Sequence, residues 1–502
     1  MIEGILIGLE TAFSLKNLMM VMIGCFAGTI IGMLPGLGPM TAIALMIPIT
    51  YGFEPSTGLI LMAGVYYGAV FGGSTSSILI NAPGIPGTVA TSFDGYPMAQ
   101  QGKAGKALAI AAYSSFAGGT IAAIFLLIAA PSLSKVSLAF RSPDYFGLMI
   151  LGLTAVSAFS AKGHFLKAMM MVVLGLMLAS VGQDTLSDIP RFTFQNMNLS
   201  DGISFVLVVM ATFAMSEALT IIFKANDPTR VAKQISLSQL GSIKLDKDET
   251  KKMVTTIPRS SVLGFIIGVL PGAGSTIASF LAYGMERNFV NDEEKQKFGK
   301  GSINGLAAPE TANNAACSGS FVPLLTLGIP GSGTTAVMLG ALLGFGIQPG
   351  PRLYQTNPEI FWSVIMSMYI GMVILLILNL PLIPYIARVL ATPRTFLIPL
   401  ILFFSVTGIY LMSFNNFDIY MMIGIAVIAT ILRLYDFPMP PLILAFVLGG
   451  LMEENLRRSL LISDGSWSFL WDRPLTMIIM AIILAIVSFQ IYKSLGLKRH
   501  KV

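Results

Sequence analysis

The groups in this sequence best suited to chemistry are glycines, prolines, hydroxyls and amides gathered at four places. Leu34-Pro35-Gly36-Leu37-Gly38 is answered later in the chain by Leu270-Pro271-Gly272-Ala273-Gly274, with Ser275 and Thr276 following. Gly73-Ser74-Thr75-Ser76-Ser77, then Asn81-Ala82-Pro83-Gly84-Ile85-Pro86-Gly87-Thr88, is answered by Ser318-Gly319-Ser320, then Gly328-Ile329-Pro330-Gly331-Ser332-Gly333-Thr334-Thr335. Proline removes a backbone donor and glycine permits positive φ, so a helix ends at each motif and another begins close by. The free N–H groups and the dipole of the new helix attract an anion. Hydroxyls and amides suit carboxylate oxygens, because they donate hydrogen bonds without the lasting grip of an arginine pair.

The candidate substrate-binding residues are therefore Gly36, Gly38, Ser74, Thr75, Ser76, Asn81, Gly84, Gly87 and Thr88 in the first pair of motifs. In the second pair they are Gly272, Gly274, Ser275, Ser318, Ser320, Gly328, Gly331, Ser332 and Thr334. Asn313 and Asn314, within Ala308-Pro309-Glu310-Thr311-Ala312-Asn313-Asn314-Ala315, carry donors and acceptors and join the set, with Na⁺ as a second ligand they would suit. The plainer alternative is that the glycines only let helices approach and the hydroxyls bond back to helix carbonyls. Occurrence in two matching places favours binding. Glu310 reads as a cation ligand or as a helix-start residue at a membrane boundary. Asp94, in Asp94-Gly95-Tyr96-Pro97, reads as a turn outside the membrane, and Glu217 as an intramembrane or snorkelling carboxylate.

Other chemistry lacks its parts. Two cysteines, Cys25 and Cys317, and two histidines, His164 and His500, supply neither a disulfide framework nor a metal set. Gly328 to Thr335 has the outline of a phosphate-binding loop, but Thr334 stands where lysine is needed. No cofactor is expected, ATP is not the energy source within this chain, and an intramembrane enzyme is a weak alternative.

The elements that must position these groups follow from composition. The chain of 502 residues is 54% hydrophobic and 11% charged, with a mean hydropathy of +0.78. A soluble domain carries about 25% charged residues, so a soluble enzyme, a disordered chain and a nucleic-acid binder are excluded. The net charge of +6 fits the basic cytoplasmic loops of a membrane protein. A spanning helix needs about 20 apolar residues. Stretches such as Phe361 to Ile383, Thr395 to Ser413 and Pro474 to Tyr492 qualify without a charge, and the whole chain holds roughly 10–13 membrane-embedded segments. Glu3 stands where a secretory signal carries a basic residue, so no removed signal is read. The expected fold is an all-α polytopic integral membrane protein with broken or re-entrant helices at the Gly/Pro motifs.

The motifs also define an internal repeat. Gly28 to Ala42 and Gly264 to Ala278 share nine of fifteen residues at an offset of 236. Matching Gly84-Ile85-Pro86-Gly87 to Gly328-Ile329-Pro330-Gly331 gives an offset of 244, which sets Ser74 and Ser76 against Ser318 and Ser320. The expected organisation is a first half over 1–223, a charged cytoplasmic loop over 224–259 and a second half over 260–502. Duplicated halves, usually inverted, are characteristic of secondary transporters, where two similar halves give outward- and inward-open states. A passive channel would not need them.

At this point the motifs match a known family. The stretches Gly32 to Pro39, Gly68 to Gly87, Gly95-Tyr96-Pro97, Leu270 to Gly274, Ala308 to Gly333 and Gly350-Pro351 resemble those of the large membrane subunit of tripartite tricarboxylate transporters, over nearly the whole length. The resemblance implies a bacterial inner-membrane protein that works with a small membrane subunit and a periplasmic substrate-binding protein. It implies uptake of an organic carboxylate, such as citrate or a dicarboxylate, by symport with Na⁺ or H⁺. The expected partners are thus those two proteins, the carboxylate and membrane lipid, with no nucleic acid. An elevator-like sliding of the site-bearing part is the expected motion.

Overall fold

A chain this apolar, interrupted this often, folds as an all-α polytopic membrane protein. Its computed structural model describes residues 2–34, 37–158, 165–184, 187, 189–223, 241–272, 274–382, 385 and 394–499. The first helices are α1 (Ile2–Ala12), α2 (Leu15–Met33), α3 (Gly38–Thr50), α4 (Pro55–Ile80), α5 (Val89–Met98) and α6 (Ala104–Ser137). Then come α7 (Ser142–Ala158), α8 (Phe165–Ala179), a short hairpin of β1 (Gly182–Gln183) and β2 (Pro190–Arg191), and α9 (Phe205–Val209), which runs through a π-helical turn, Met210–Met215, into α10 (Ser216–Phe223). The second series is α11 (Lys247–Val269), α12 (Gly274–Phe289), α13 (Asp292–Lys295), α14 (Ile303–Gly319), α15 (Phe321–Leu327), α16 (Gly333–Gly344), α17 (Leu353–Thr356) and α18 (Pro358–Asn379). The chain closes with α19 (Arg394–Ser413), α20 (Asn416–Leu434), α21 (Pro440–Ile462) and α22 (Pro474–Arg499). Among the described residues, six helical stretches are long and apolar enough to cross a bilayer.

The duplication is visible in the backbone. Leu34 and Leu270 end α2 and α11 in the same extended conformation, each with its N–H on the carbonyl three residues earlier, at 3.1 Å to Ile31 and 3.2 Å to Ile267. Gly38 and Gly274 open α3 and α12 with φ of +63° and +62°. At the second break, Asn81 and Gly328 are the left-handed C-caps of α4 and α15. Ala82 N–H bonds Ser76 O at 3.4 Å, and Ile329 N–H bonds Pro323 O at 3.3 Å. These equivalences set the second offset at 247, not 244. The expected pairing of Gly84-Ile85-Pro86-Gly87 with Gly328-Ile329-Pro330-Gly331 is three residues out of register. The stretch Asn81 to Gly87 holds two Pro-Gly steps, and the left-handed cap, which asparagine tolerates almost as glycine does, selects the first. Ser74 and Ser76 thus stand opposite Phe321 and Pro323, whereas Asn313 and Asn314 stand opposite Tyr66 and Tyr67.

Much of the glycine content is packing. A methyl built on Gly28 would lie 2.3 Å from Val65 O, and on Gly32 2.2 Å from Ala69 O; in return, Gly68 and Gly72 of α4 face Cys25 O and Thr29 O at 2.4 and 2.1 Å. The same seam recurs at Gly264 and Gly268, against Ala312 O and Ala316 O at 2.4 and 2.3 Å. Small residues let the two backbones touch, which is how helices associate where no hydrophobic effect draws them together. The halves also exchange partners: α6 lies along α14, and α18 along α4.

Some loop readings change. Residues 224–240 lie outside the described residues, but from Lys247 the supposed loop is helical, started by a capping box in which Asp246 and Glu249 each accept the other's N–H at 2.8 and 2.9 Å. Asp94 is fully buried within α5 rather than in an outer turn. Its Oδ1 accepts the N–H groups of Gly299, Gly301 and Ser302 at 2.9, 2.9 and 2.7 Å. Glu217 pairs with Arg433 of α20, which also donates to Thr212 O, 2.9 Å away in the π-helical turn.

A half-buried pair fixes α22 to α7. Asp144 is fully buried and meets Arg473 Nη2 at 2.9 Å, and it also accepts from Thr476 Oγ1 and the Arg141 N–H at 2.5 and 2.9 Å. Arg473→Met should destabilise the protein by about 1.5–3 kcal/mol, the loss of a hydrogen-bonded charge whose partner keeps its other donors. Thermal unfolding in detergent reads this, and an unchanged midpoint would refute it.

Candidate functional site

Each break places its free helix end next to a break from elsewhere in the chain. A methyl on Gly38 would lie 3.9 Å from the Ile85 side chain, one on Gly274 4.0 Å from Ser332 Cβ, and one on Gly333 3.0 Å from Met40 Sδ. The tightest junction joins the two halves. A methyl on Gly87 would meet Asn313 Oδ1 at 2.9 Å and Ser275 Oγ at 3.0 Å. Ser275 is in the first turn of α12, and Asn313 sits in mid-α14. On the repeat-related side, Tyr66 OH lies 3.3 Å from Ser332 Oγ. Tyr66 and Asn313 are equivalent positions, so each half's central helix reaches the other half's second break.

Asn313 is the exceptional side chain. It is fully buried, and among the described residues neither its carbonyl oxygen nor its amide nitrogen has a partner. Asn314 gives its amide to Glu310 O at 3.1 Å, and its own oxygen has no partner among the described residues. Buried amides without partners are rare, since each unmade bond costs about 1–3 kcal/mol. An amide donor and acceptor thus lie buried beside Gly87 and the start of α12.

The other expected residues divide. Ser275, Gly87, Asn313, Ser332, Gly38 and Gly274 belong to this junction. Gly36 lies outside the described residues. Gly84 and Gly331 are packing positions, since methyls there would meet Gly32 O at 1.9 Å and Gly268 O at 2.9 Å. Gly272 is held by its N–H on Gly331 O at 3.0 Å, and Gly328, at φ +70°, and Asn81 serve as caps. Many hydroxyls are already engaged. Ser76 donates to Gly73 O at 3.1 Å, Ser320 to Cys317 O at 2.7 Å and Ser318 to Gly119 O at 3.3 Å. Thr88 donates to Ile85 O at 3.0 Å, closing its own break. The α16 start is closed by a capping box between Ser332 and Thr335, with Thr334 buried behind it. Thr75 lines a small cavity with Ser74, Ser115 and Asn379. Ser74 is committed elsewhere, to Glu310 at 2.8 Å.

Two groups had not been placed by sequence. Tyr66 lies in an apolar run and reads as core; only the corrected repeat register, which sets it opposite Asn313, marks it. Glu310, given two readings, is neither exposed nor at a helix start. It is fully buried in mid-α14, facing hydroxyls from three helices.

Against known proteins, the model of the tripartite tricarboxylate transporter TctA family matches residues 18–444. An Agrobacterium vitis protein described as an uncharacterized 52.8 kDa protein in TAR-I ttuC' 3'region is 42% identical over 502 residues, spanning all of this chain and 98% of that one. A second, described as an uncharacterized protein in TAR-II ttuC' 3'region, is 41% identical over 239 residues, 48% of this chain and 98% of its own length. No solved structure matches.

Proposed function

We propose, because this chain belongs to the tripartite tricarboxylate transporter TctA family, that it is the large membrane subunit of an importer of small organic carboxylates, holding its cargo at the junction of Gly87, Ser275 and Asn313. The chain is a multi-pass membrane transport component, not an enzyme. The finer reading adds a small membrane subunit, a substrate-binding protein that delivers di- or tricarboxylates such as citrate, the bacterial inner membrane, and symport with a cation.

The observation that carries the site is Asn313, fully buried with both amide atoms unpartnered among the described residues. A carboxylate would accept from its nitrogen, from Ser275 Oγ and from the N–H groups that begin α12. These donors carry no full positive charge, so they hold an anion without trapping it, as a site that empties on every cycle requires. A sliding of the site-bearing helices against the rest of the fold would expose it to either side in turn.

Gly87→Ala tests this directly. The added methyl points at Asn313 and Ser275 in a backbone that alanine can adopt, so uptake should fall at least about tenfold, the low end of what one misplaced methyl does in a fitted pocket. The assay is uptake of labelled di- and tricarboxylates by liposomes containing the chain and its small subunit, with binding protein present or absent and gradients imposed or collapsed. Unchanged uptake would remove the junction from the site. Flux that only runs downhill, whatever the gradient, would favour a channel.

A further inference from the structure

Glu310 lies one helical turn before Asn313 and Asn314, fully buried in the middle of the membrane fold. Its Oε2 accepts from Ser74 Oγ and Ser115 Oγ, each at 2.8 Å, and its Oε1 from Thr91 Oγ1. The three donors come one each from α4, α6 and α5. Among the described residues, no basic side chain forms an ion pair with it. Several charged and titratable groups on the surrounding helices are engaged elsewhere. Asp94 of α5 faces the backbone at Gly299 to Ser302, Lys106 of α6 pairs with Glu249, and Arg259 of α11 pairs with Glu286 of α12. On α4, Tyr66 turns to Ser332 and Tyr67 to Ser318.

A carboxylate removed from water without a counter-charge costs several kcal/mol, even after relaxation. Something must neutralise it during part of the cycle. We propose that Glu310 takes up and releases the coupling proton of this transporter. It would be the neutral acid in one state and a carboxylate held by three hydroxyls in the other. This rests on the transport reading above and deepens it. The local geometry favours a proton over a metal ion. A hard cation needs several oxygen ligands, commonly carboxylates, whereas among the described residues Glu310 belongs to no cluster of three acidic, His or Cys side chains, and its hydroxyl neighbours can hydrogen-bond the carboxyl in either protonation state. Ser74 also has Val70 O within 3.2 Å as a second acceptor. When a proton from the aqueous phase adds to Oε2, Ser74 turns its hydrogen to Val70 O and accepts the new O–H; when the proton leaves, Ser74 turns back.

A small cavity lined by Ser74, Thr75, Ser115 and Asn379, and by apolar side chains of α4 and α6, touches two of the three donors, and the Asn379 carbonyl oxygen has no partner among the described residues. Its volume of about 10 Å³ is at the lower limit for holding one water. Ser74 and Thr91 flank the break that ends in Gly87, while Asn314 bonds the Glu310 carbonyl. The state of one carboxyl therefore bears on both walls of the Asn313 junction.

The test uses the full chain with its small subunit in liposomes, titrated by infrared difference spectroscopy in H₂O and D₂O with KCl or NaCl. Wild type should show a protonated-carboxyl stretch that titrates, shifts in D₂O and is indifferent to Na⁺. Glu310→Gln should lack it and should lose the response of labelled citrate uptake to an imposed proton gradient. Ser115→Ala, which keeps the carboxyl but removes one donor, should move the band to higher frequency. The same spectrum in wild type and Glu310→Gln would overturn the proposal, as would a band that Na⁺ abolishes at constant pH. Wild-type vesicles that take up no carboxylate from a panel yet show the band would refute the transport reading while supporting the proton site.

Discussion

Asn313→Leu is expected to lower carboxylate uptake sharply while making the ligand-free protein more resistant to heat. The two effects have one cause. Both amide atoms of Asn313 are buried without partners among the described residues, and replacing them by a methyl pair of similar shape removes a penalty of about 1–3 kcal/mol. The same atoms would meet the ligand's oxygens in a low-dielectric setting, where a hydrogen bond to a charged group contributes about 1.5–3 kcal/mol. Their loss should lower uptake about ten- to a hundredfold. A merely structural asparagine would give the opposite sign for stability. The paired measurement is the thermal midpoint of the detergent-solubilised chain and the initial uptake rate in liposomes. A lower midpoint with intact uptake would end the site assignment.

Gly28→Leu is expected to yield no folded protein, and so is Gly264→Leu at the repeat-related position. Core overpacking ordinarily costs about 1–3 kcal/mol because side chains can move aside. Here the first obstacle is backbone, Val65 O at 2.3 Å and Ala312 O at 2.4 Å, so the helices must separate along the seam. Gly424→Leu is the control, since a methyl there meets nothing within 4 Å, and it should behave as wild type. Size-exclusion profiles of fluorescently tagged variants decide the matter, and a sharp wild-type peak for Gly28→Leu would disprove the backbone-contact argument.

The fold class and the positions of the breaks were legible because they depend on composition and on Pro-Gly steps, which act locally. What the breaks do was harder to read. Glycine gives the same letter whether it admits a ligand or a neighbouring helix, so Gly84 looked like Gly87 although one faces Gly32 O and the other Asn313. Hydroxyl clusters misled in a similar way. Ser76 and Ser320 bond carbonyls three residues earlier in their own helices, as isolated serines do. Asp94 carries a turn signature in Asp-Gly-Tyr-Pro, but partners some two hundred residues away hold it inside. Glu310 could not be placed because its three hydroxyls come from three distant segments. Asn313 was legible as a ligand candidate, but its lack of partners only shows once its neighbours are packed.

The exchange of long helices between the halves bears on how the protein is made. The flank of α4 is covered by α18, and that of α14 by α6, so the earlier half of the chain cannot finish its own core. Nascent α4, with four consecutive hydroxyl residues from Ser74 to Ser77, must wait in the lipid until synthesis passes Asn379. Contacts this distant in sequence form late and leave intermediates exposed. Slowed translation beyond Gly344 should therefore be more damaging than slowed translation near the C-terminus, and the unfinished protein becomes a target for membrane proteases before it ever handles a ligand.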